Sequence, residues 1–363
     1  MISMLSNTTI ANIFCDSLII MTLIIVMLKD YNKIKLITII LVIVSMLSFV
    51  ISYLQHPEYQ TVLFNTYNIW DRVFGPRKGF FLLMILTMYN DPKELFSALK
   101  ASAIPVWIAY TIRALTGIGL SEKTGSNHAF GYWFLFVAII YAIAFIRERR
   151  FYELLLAVIP LIQIVLYASR TCILSYVVFW GLYILFYEDN KDNLKKKIVL
   201  ICIAIILSVM ITSNVFMDMI KEIIQQLGIS SKILNAILSG NNELDGGRAY
   251  MYANDAILLK ENPWGLGIYW DRYLYPSYNY THNFFYEVLI DFGWLIGGFL
   301  IVVLLMRTIS ILRASKSEWK LLFIMFFSLS MVRLFLSYSF WFDINFWGMI
   351  AILICYNYNK ETW

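Results

Sequence analysis

The chain has 363 residues, 60% of them hydrophobic and only 15% charged, with a mean hydropathy of +0.69. A soluble domain carries about 45–50% apolar and about 25% charged residues, so this composition excludes a water-soluble fold and points to a membrane protein. The net charge of +5 is scattered over loops with no arginine-rich arm, which argues against a nucleic-acid partner.

A bilayer core takes about 20 apolar residues per helix. On that measure, spans fall near residues 10–28, 36–54, 79–90, 99–117, 130–146, 151–167, 171–187, 198–215, 284–306, 321–337 and 341–357. The expected fold is therefore all-α, a polytopic transmembrane helical bundle of about eleven spans. The first apolar run has no basic residue ahead of it and no small-x-small pattern before Lys29, so it reads as a retained span rather than a cleaved signal peptide. The third is the shortest.

Alternate loops differ in charge. One set carries seventeen Lys and Arg, among them Lys29, Lys33, Lys35, Arg147, Arg149, Arg150, Lys195, Lys196 and Lys197. The short loops of the other set carry four: Arg72, Arg77, Lys78 and Lys123. By the positive-inside rule the first set is cytoplasmic, which puts the N-terminus outside and the C-terminus inside. Three parts follow: spans one to eight over 1–215, a large extracytoplasmic loop over 216–283, and spans nine to eleven over 284–363.

Connectors between spans are usually short, so a loop of this length is functional or separately folded. Phe216, Met219, Ile220, Ile223, Ile224 and Leu227 recur at helical spacing opposite Asp218, Lys221, Glu222 and Gln225, the pattern of a helix lying on the membrane surface. A second short helix fits 229–239, then a flexible turn through Gly240, Asp245, Gly246 and Gly247. A third fits Ala249 to Lys260 and stops at Asn262-Pro263, where proline cannot continue a helix.

Three arginines, Arg113, Arg170 and Arg333, fall within or at the ends of spans, each toward the outer side. An arginine at a helix centre costs about 2.5–3.5 kcal/mol on insertion scales, so each either snorkels to the interface or serves an anionic partner. Carboxylates within spans are few: Asp16, Glu153, Glu287, Asp291 and Asp343. A pyrophosphate would supply the missing negative charge, because guanidinium binds phosphate oxygens bidentately and stays charged.

His282 ends the long loop in Thr281-His282-Asn283, just before the ninth span; the other two histidines are His56 and His128. An imidazole, with an ordinary pKa of about 6.5, placed at the outer boundary could deprotonate a sugar hydroxyl. Nine Tyr and Trp residues lie between Tyr250 and Tyr280, either an interfacial aromatic belt or flat faces on which sugar rings stack. Cys15, Cys172, Cys202 and Cys355 stand singly in apolar runs, which fits neither a disulfide framework nor a zinc site. Phosphate-loop, dinucleotide, zinc-protease and hydrolase-elbow motifs are missing.

Arg248, Asn262-Pro263-Trp264-Gly265-Leu266-Gly267, Thr281-His282-Asn283 and Asp291-Phe292-Gly293-Trp294-Leu295-Ile296-Gly297 occur in that order. Together with Ser169-Arg170 upstream, they resemble the R, P-x-G-x-G, HN and G-x-x-G signature of the bacterial O-antigen polymerase and O-antigen ligase superfamily. The resemblance covers about residues 165–300. It implies a membrane-embedded glycosyltransferase that needs no metal or other cofactor. Its substrate is an undecaprenyl-pyrophosphate-linked oligosaccharide, as donor and acceptor, at the outer face of the bacterial inner membrane. It implies further that Arg170 and Arg248 hold the pyrophosphate and that His282 activates the acceptor hydroxyl. Arg113, Arg333 and Asn283 join them as candidate substrate-binding residues. Ligases of this superfamily usually have twelve spans with both ends inside, where eleven are counted here.

Polymerase is the preferred reading, with a ligase that passes glycan to lipid A core as the alternative. A flippase for the same lipid-linked sugar is the alternative of another class. It would need polar residues through the full depth of its spans, whereas here they gather at the outer side and in one asymmetric loop. A chain-length regulator and a flippase are expected as partners.

Overall fold

The computed structural model describes residues 20–21, 35–59, 69–76, 78–116, 128–167, 170–187, 248–275, 280–336 and 338–361. The expected first and eighth spans, and the loop helices over 216–227 and 229–239, lie outside the described residues. Among the described residues all regular structure is helical. Among the described residues five helices are long and apolar enough to cross a membrane: Leu36–Gln55, Pro92–Leu115, Phe130–Glu148, Phe284–Arg313 and Glu318–Leu336. Three shorter apolar helices, Phe151–Ile164, Thr171–Tyr187 and Ile344–Asn357, accompany them. The protein is an all-α multi-pass membrane protein. Two compact units divide it: one of Met1–Pro92, Arg248–Ile311 and Leu334–Trp363, the other of Lys93–Gly247 and Leu312–Arg333.

The first unit contains α1 (Leu36–Gln55) and α2 (Gly79–Thr87) from the N-terminal part. The sequence predicts a span over 79–90. In its place α2 has nine residues, a rise of about 14 Å against a hydrocarbon core of about 30 Å, so it cannot cross alone. The chain breaks at Gly75-Pro76 before it and at Asn90-Asp91-Pro92 after it. Thr38 Oγ1 on α1 donates to Thr87 Oγ1 at 3.1 Å, and the buried Lys35 Nζ donates to the Thr87 carbonyl at 2.7 Å. The outward side of α1, with Leu36, Ile40, Ile43, Leu47 and Val50 all exposed, is apolar as a lipid-facing surface requires.

In the second unit, α3 (Pro92–Leu115), α4 (His128–Glu148), α5 (Phe151–Tyr167) and α6 (Arg170–Leu182, extended by a wider π-type turn to Tyr187) follow in order. Almost every residue of α4 from Phe130 to Ala144 is buried, and its sequence is correspondingly apolar all round, as a central helix must be. α4 packs against α5 and α6. Polar side chains pair between α3 and α5: Trp107 Nε1 donates to Gln163 Oε1 at 2.8 Å, and Gln163 Nε2 donates to Thr111 Oγ1 at 3.0 Å. At the charged end Lys100 Nζ meets Glu148 and Glu153, each at 2.6 Å, and Arg147 meets Glu318 at 2.6 Å.

The remaining helices are α7 (Arg248–Glu261), α8 (Trp270–Leu274), α9 (Phe284–Phe292), α10 (Gly298–Arg313), α11 (Glu318–Leu336) and α12 (Ile344–Glu361). The third loop helix, expected over Ala249 to Lys260, is α7 and ends at Asn262-Pro263 as the proline requires. α12 packs on α2, where Trp347 lies 4.1 Å from the Phe80 ring and against Gly79. Cys172 and Cys355 are buried thiols.

Candidate functional site

The motif residues of the first unit form one connected piece. After α7 the chain turns through Pro263-Trp264-Gly265-Leu266-Gly267 and lies across the junction of α9 and α10. Leu266 N donates to the Ile290 carbonyl at 2.7 Å, and Trp294 N donates to the Pro263 carbonyl at 2.8 Å. Gly265 and Gly293 meet backbone to backbone, both at positive φ, +89° and +72°. A Cβ on Gly265 would sit 2.5 Å from Gly293 N, and one on Gly293 2.3 Å from the Trp264 carbonyl carbon. The two glycine motifs thus form one clasp, its contacts joining residues 24 to 31 apart in sequence, which fixes the segment from α8 onward against α9. Ile268 N donates to Ser52 Oγ at 2.6 Å and ties the clasp to α1.

Below the clasp lies a buried charge cluster that sequence reasoning missed. Arg272 and Asp271, on α8, are 1% and 0% exposed. Arg272 Nη1 donates to Asp271 Oδ1 at 2.6 Å and Nη2 to Glu287 Oε1 at 2.8 Å. Ser339, in the turn before α12, joins both Arg272 and Glu287, and Phe340 N donates to Glu287 Oε2 at 3.1 Å. Tyr269, itself at φ +70°, presents its ring face 4.0 Å from the guanidinium. Burial alone would loosen the guanidinium proton; the charges of Asp271 and Glu287 outweigh it and hold that proton more tightly than in water. The signal available in sequence was faint, because Asp271-Arg272 look like ordinary loop charges and Glu287 falls at a span entry.

His282 follows directly. The other oxygen of Asp271, Oδ2, accepts from Thr281 N at 3.0 Å and Thr281 Oγ1 at 3.2 Å. His282 is then turned into the left-handed region at φ +59°, while Tyr252 Oη on α7 donates to its carbonyl at 3.2 Å. The Tyr280 ring lies 4.3 Å from the imidazole, and Tyr338 lies 6.1 Å from Tyr280. Asn283 caps α9: its Oδ1 accepts from Phe285 N at 2.9 Å and Tyr286 N at 3.3 Å. That side-chain oxygen is engaged in the cap. Replacing Asn283 by Ala should cost about 1 kcal/mol of stability, whereas Ser or Asp should retain most of it; thermal inactivation of the purified protein would measure the difference.

The four arginines divide between the units. Arg113 sits over the Tyr110 and Phe130 rings at 5.7 and 5.4 Å, and Arg333 over Tyr132 at 4.4 Å, all within the second unit. Aromatic faces therefore take up part of the charge for which carboxylates were lacking. The intramembrane acids have other partners: Glu153 pairs with Lys100, Asp291 Oδ2 accepts from Trp341 Nε1 at 2.7 Å, and Asp343 Oδ1 accepts from Asn345 N at 2.7 Å as a cap on α12. Arg170 begins α6 and Arg248 begins α7; their side chains lie outside the described residues.

The belt of aromatics resolves by position. Tyr269 and Tyr275 are core residues, Tyr252 stacks on Tyr286 with an interplanar angle of 18°, and Trp264, 78% exposed, projects from the clasp as an interfacial anchor would. Tyr275 Oη donates to Asp255 Oδ1 at 3.0 Å. Burial pushes the Asp255 carboxyl up to about 7, against the Tyr275 hydrogen bond and with help from the Asp271 charge. The folded state therefore holds this proton at a pH where the unfolded chain has released it, so stability falls as pH rises from about 4 to about 7. An Asp255→Asn protein should gain thermal stability over the natural chain at pH 8, an advantage that shrinks as pH falls and is gone near pH 4.

Motif order, clasp and histidine turn fall within a stretch that also matches a known family. Residues 155–303 match the family model described as O-antigen ligase. This stretch is similar to an O-antigen ligase family domain. The domain runs from α5 into α10 and so contains Arg170, Arg248, both glycine motifs and Thr281-His282-Asn283. It leaves out Arg113, Arg333, and the Ser339 and Trp341 partners of the buried acids. Neither a curated protein nor a solved structure matches the chain.

Proposed function

We propose that the chain is a polysaccharide polymerase for O-antigen or capsule. In this reading it transfers an undecaprenyl-pyrophosphate-linked oligosaccharide onto another lipid-linked repeat unit at the outer face of the inner membrane. The carrying observation is the His282 turn: an imidazole held in left-handed backbone at the start of a membrane helix, inside an O-antigen ligase family domain. His282 takes the proton of the acceptor hydroxyl as its oxygen attacks the anomeric carbon. The bond from that carbon to the pyrophosphate oxygen breaks, and the electron pair leaves with the lipid pyrophosphate. Arg170 and Arg248 are the groups assigned to hold that leaving charge, as preorganised guanidinium donors in a poorly hydrated site are suited to do. Energy comes from the pyrophosphate link, so no nucleotide is required. A chain-length regulator and a flippase are the expected partners.

A second reading, transfer of glycan to lipid A core, is favoured by the description of the family model itself. The two differ in acceptor, and gel analysis of surface polysaccharide from cells lacking the gene separates them. Core bearing one repeat unit without a ladder supports the polymerase. Bare core with long polymer on the lipid carrier supports the ligase, and bare core with single units trapped inside would replace both by a flippase.

A further inference from the structure

We infer that Asp271, clamped by the buried Arg272–Glu287 pair, is a positioning residue for His282, and that Thr281 is the link through which it acts. The inference rests on reading His282 as the base. A left-handed backbone costs a residue with a Cβ about 1–2 kcal/mol, so the φ of +59° at His282 persists only if its surroundings impose it. Three fastenings do so. Asp271 takes both the amide and the hydroxyl of Thr281 on the near side, Tyr252 holds the His282 carbonyl, and Asn283 starts α9 on the far side. Only the first is charged and buried throughout.

Asp271 itself is divided between two tasks. Oδ1 is occupied by Arg272 through Nη1 and through its backbone amide at 3.0 Å, which leaves Oδ2 facing Thr281. Arg272 is fixed in turn by Glu287, one turn into α9, and by Ser339 before α12. The chain of contacts therefore sets the histidine turn in one register relative to α8, α9 and the turn before α12. A loop carrying a base without such support would sample many rotations of the imidazole, and an error of about 1 Å in placement can cost on the order of a hundredfold in rate. The cluster is more polar than packing alone calls for, since a buried ion pair is weak as a stabiliser against apolar side chains of like size.

The test uses the full-length protein in lipid nanodiscs, supplied with lipid-linked repeat units extracted from cells that lack the gene. Polymer formation is followed for Asp271→Asn, Thr281→Val, Thr281→Ser and His282→Ala. The expected result is a kcat at least tenfold lower for Asp271→Asn and about threefold lower for Thr281→Val, with KM within twofold. Thr281→Ser, which keeps the hydroxyl, should restore the natural rate, and heat inactivation of the two threonine variants should coincide. Natural turnover in both Asp271→Asn and Thr281→Val, beside an inactive His282→Ala, overturns the positioning role alone. Full turnover in His282→Ala removes the base assignment and this inference with it. A fall in activity that follows the loss of folded protein in every variant, with no rescue by serine, reduces the cluster to packing and overturns the inference.

Discussion

Replacing His282 by alanine should lower the rate of glycan transfer by about a hundredfold to ten-thousandfold, the range that a positioned general base contributes. The backbone around the residue predicts that the loss is chemical rather than structural. Asp271 holds Thr281, Tyr252 binds the His282 carbonyl, and Asn283 caps α9 with its own side chain. All three fastenings survive removal of the imidazole, and alanine presents the same Cβ at φ +59° as histidine does. The variant should therefore reach the membrane in normal amount, resist heat as the natural chain does, and leave cells with unextended repeat units. A parallel assay of Arg248→Ala separates the two chemical roles: the arginine reading predicts weaker retention of the lipid pyrophosphate as well as slower transfer. A His282→Ala protein that builds full-length polymer would sink the assignment.

The sequence was most legible where one residue type leaves little choice. Proline at 263 ended α7 where expected, and the apolar runs over 36–54, 99–117, 130–146 and 321–337 became long helices within a few residues. Span counting failed at α2, since nine apolar residues between Gly75-Pro76 and Pro92 satisfy a hydropathy window without reaching across a bilayer. The site was legible only in its short-range part. His282 and Asn283 stand out beside a span, and Asn283, directly before Phe284, also occupies a position where N-caps occur. Arg272 was invisible for a different reason. A charge in a loop looks solvated until the chain is folded, and its partners Glu287 and Ser339 are 15 and 67 residues away. Arg113 and Arg333 show the converse, because a pattern search for carboxylate partners overlooks the aromatic faces of Tyr110, Phe130 and Tyr132.

The glycine motifs yield the second large effect, on stability rather than rate. Gly293→Ala places a Cβ 2.3 Å from the Trp264 carbonyl carbon and 2.6 Å from both Gly265 N and the Pro263 oxygen. Backbone atoms of a clasp cannot step aside as the end of a flexible side chain can. Of those atoms, the Pro263 oxygen accepts from Trp294 N and Gly265 N donates to the Asn262 carbonyl. Adding about 1–2 kcal/mol for a Cβ at positive φ to about 1–3 kcal/mol for overpacking gives a loss of roughly 3 kcal/mol. Five residues on, Gly298 is helical with nothing within 4 Å of its Cβ position. Gly298→Ala should be neutral or slightly stabilising, by up to about 1 kcal/mol, because it trims the freedom of the unfolded chain. Heat inactivation of the two detergent-solubilised variants side by side removes differences of expression and handling. Equal stability of Gly293→Ala and Gly298→Ala would mean that the clasp opens without cost, and the glycines would then have to be explained by contact with substrate.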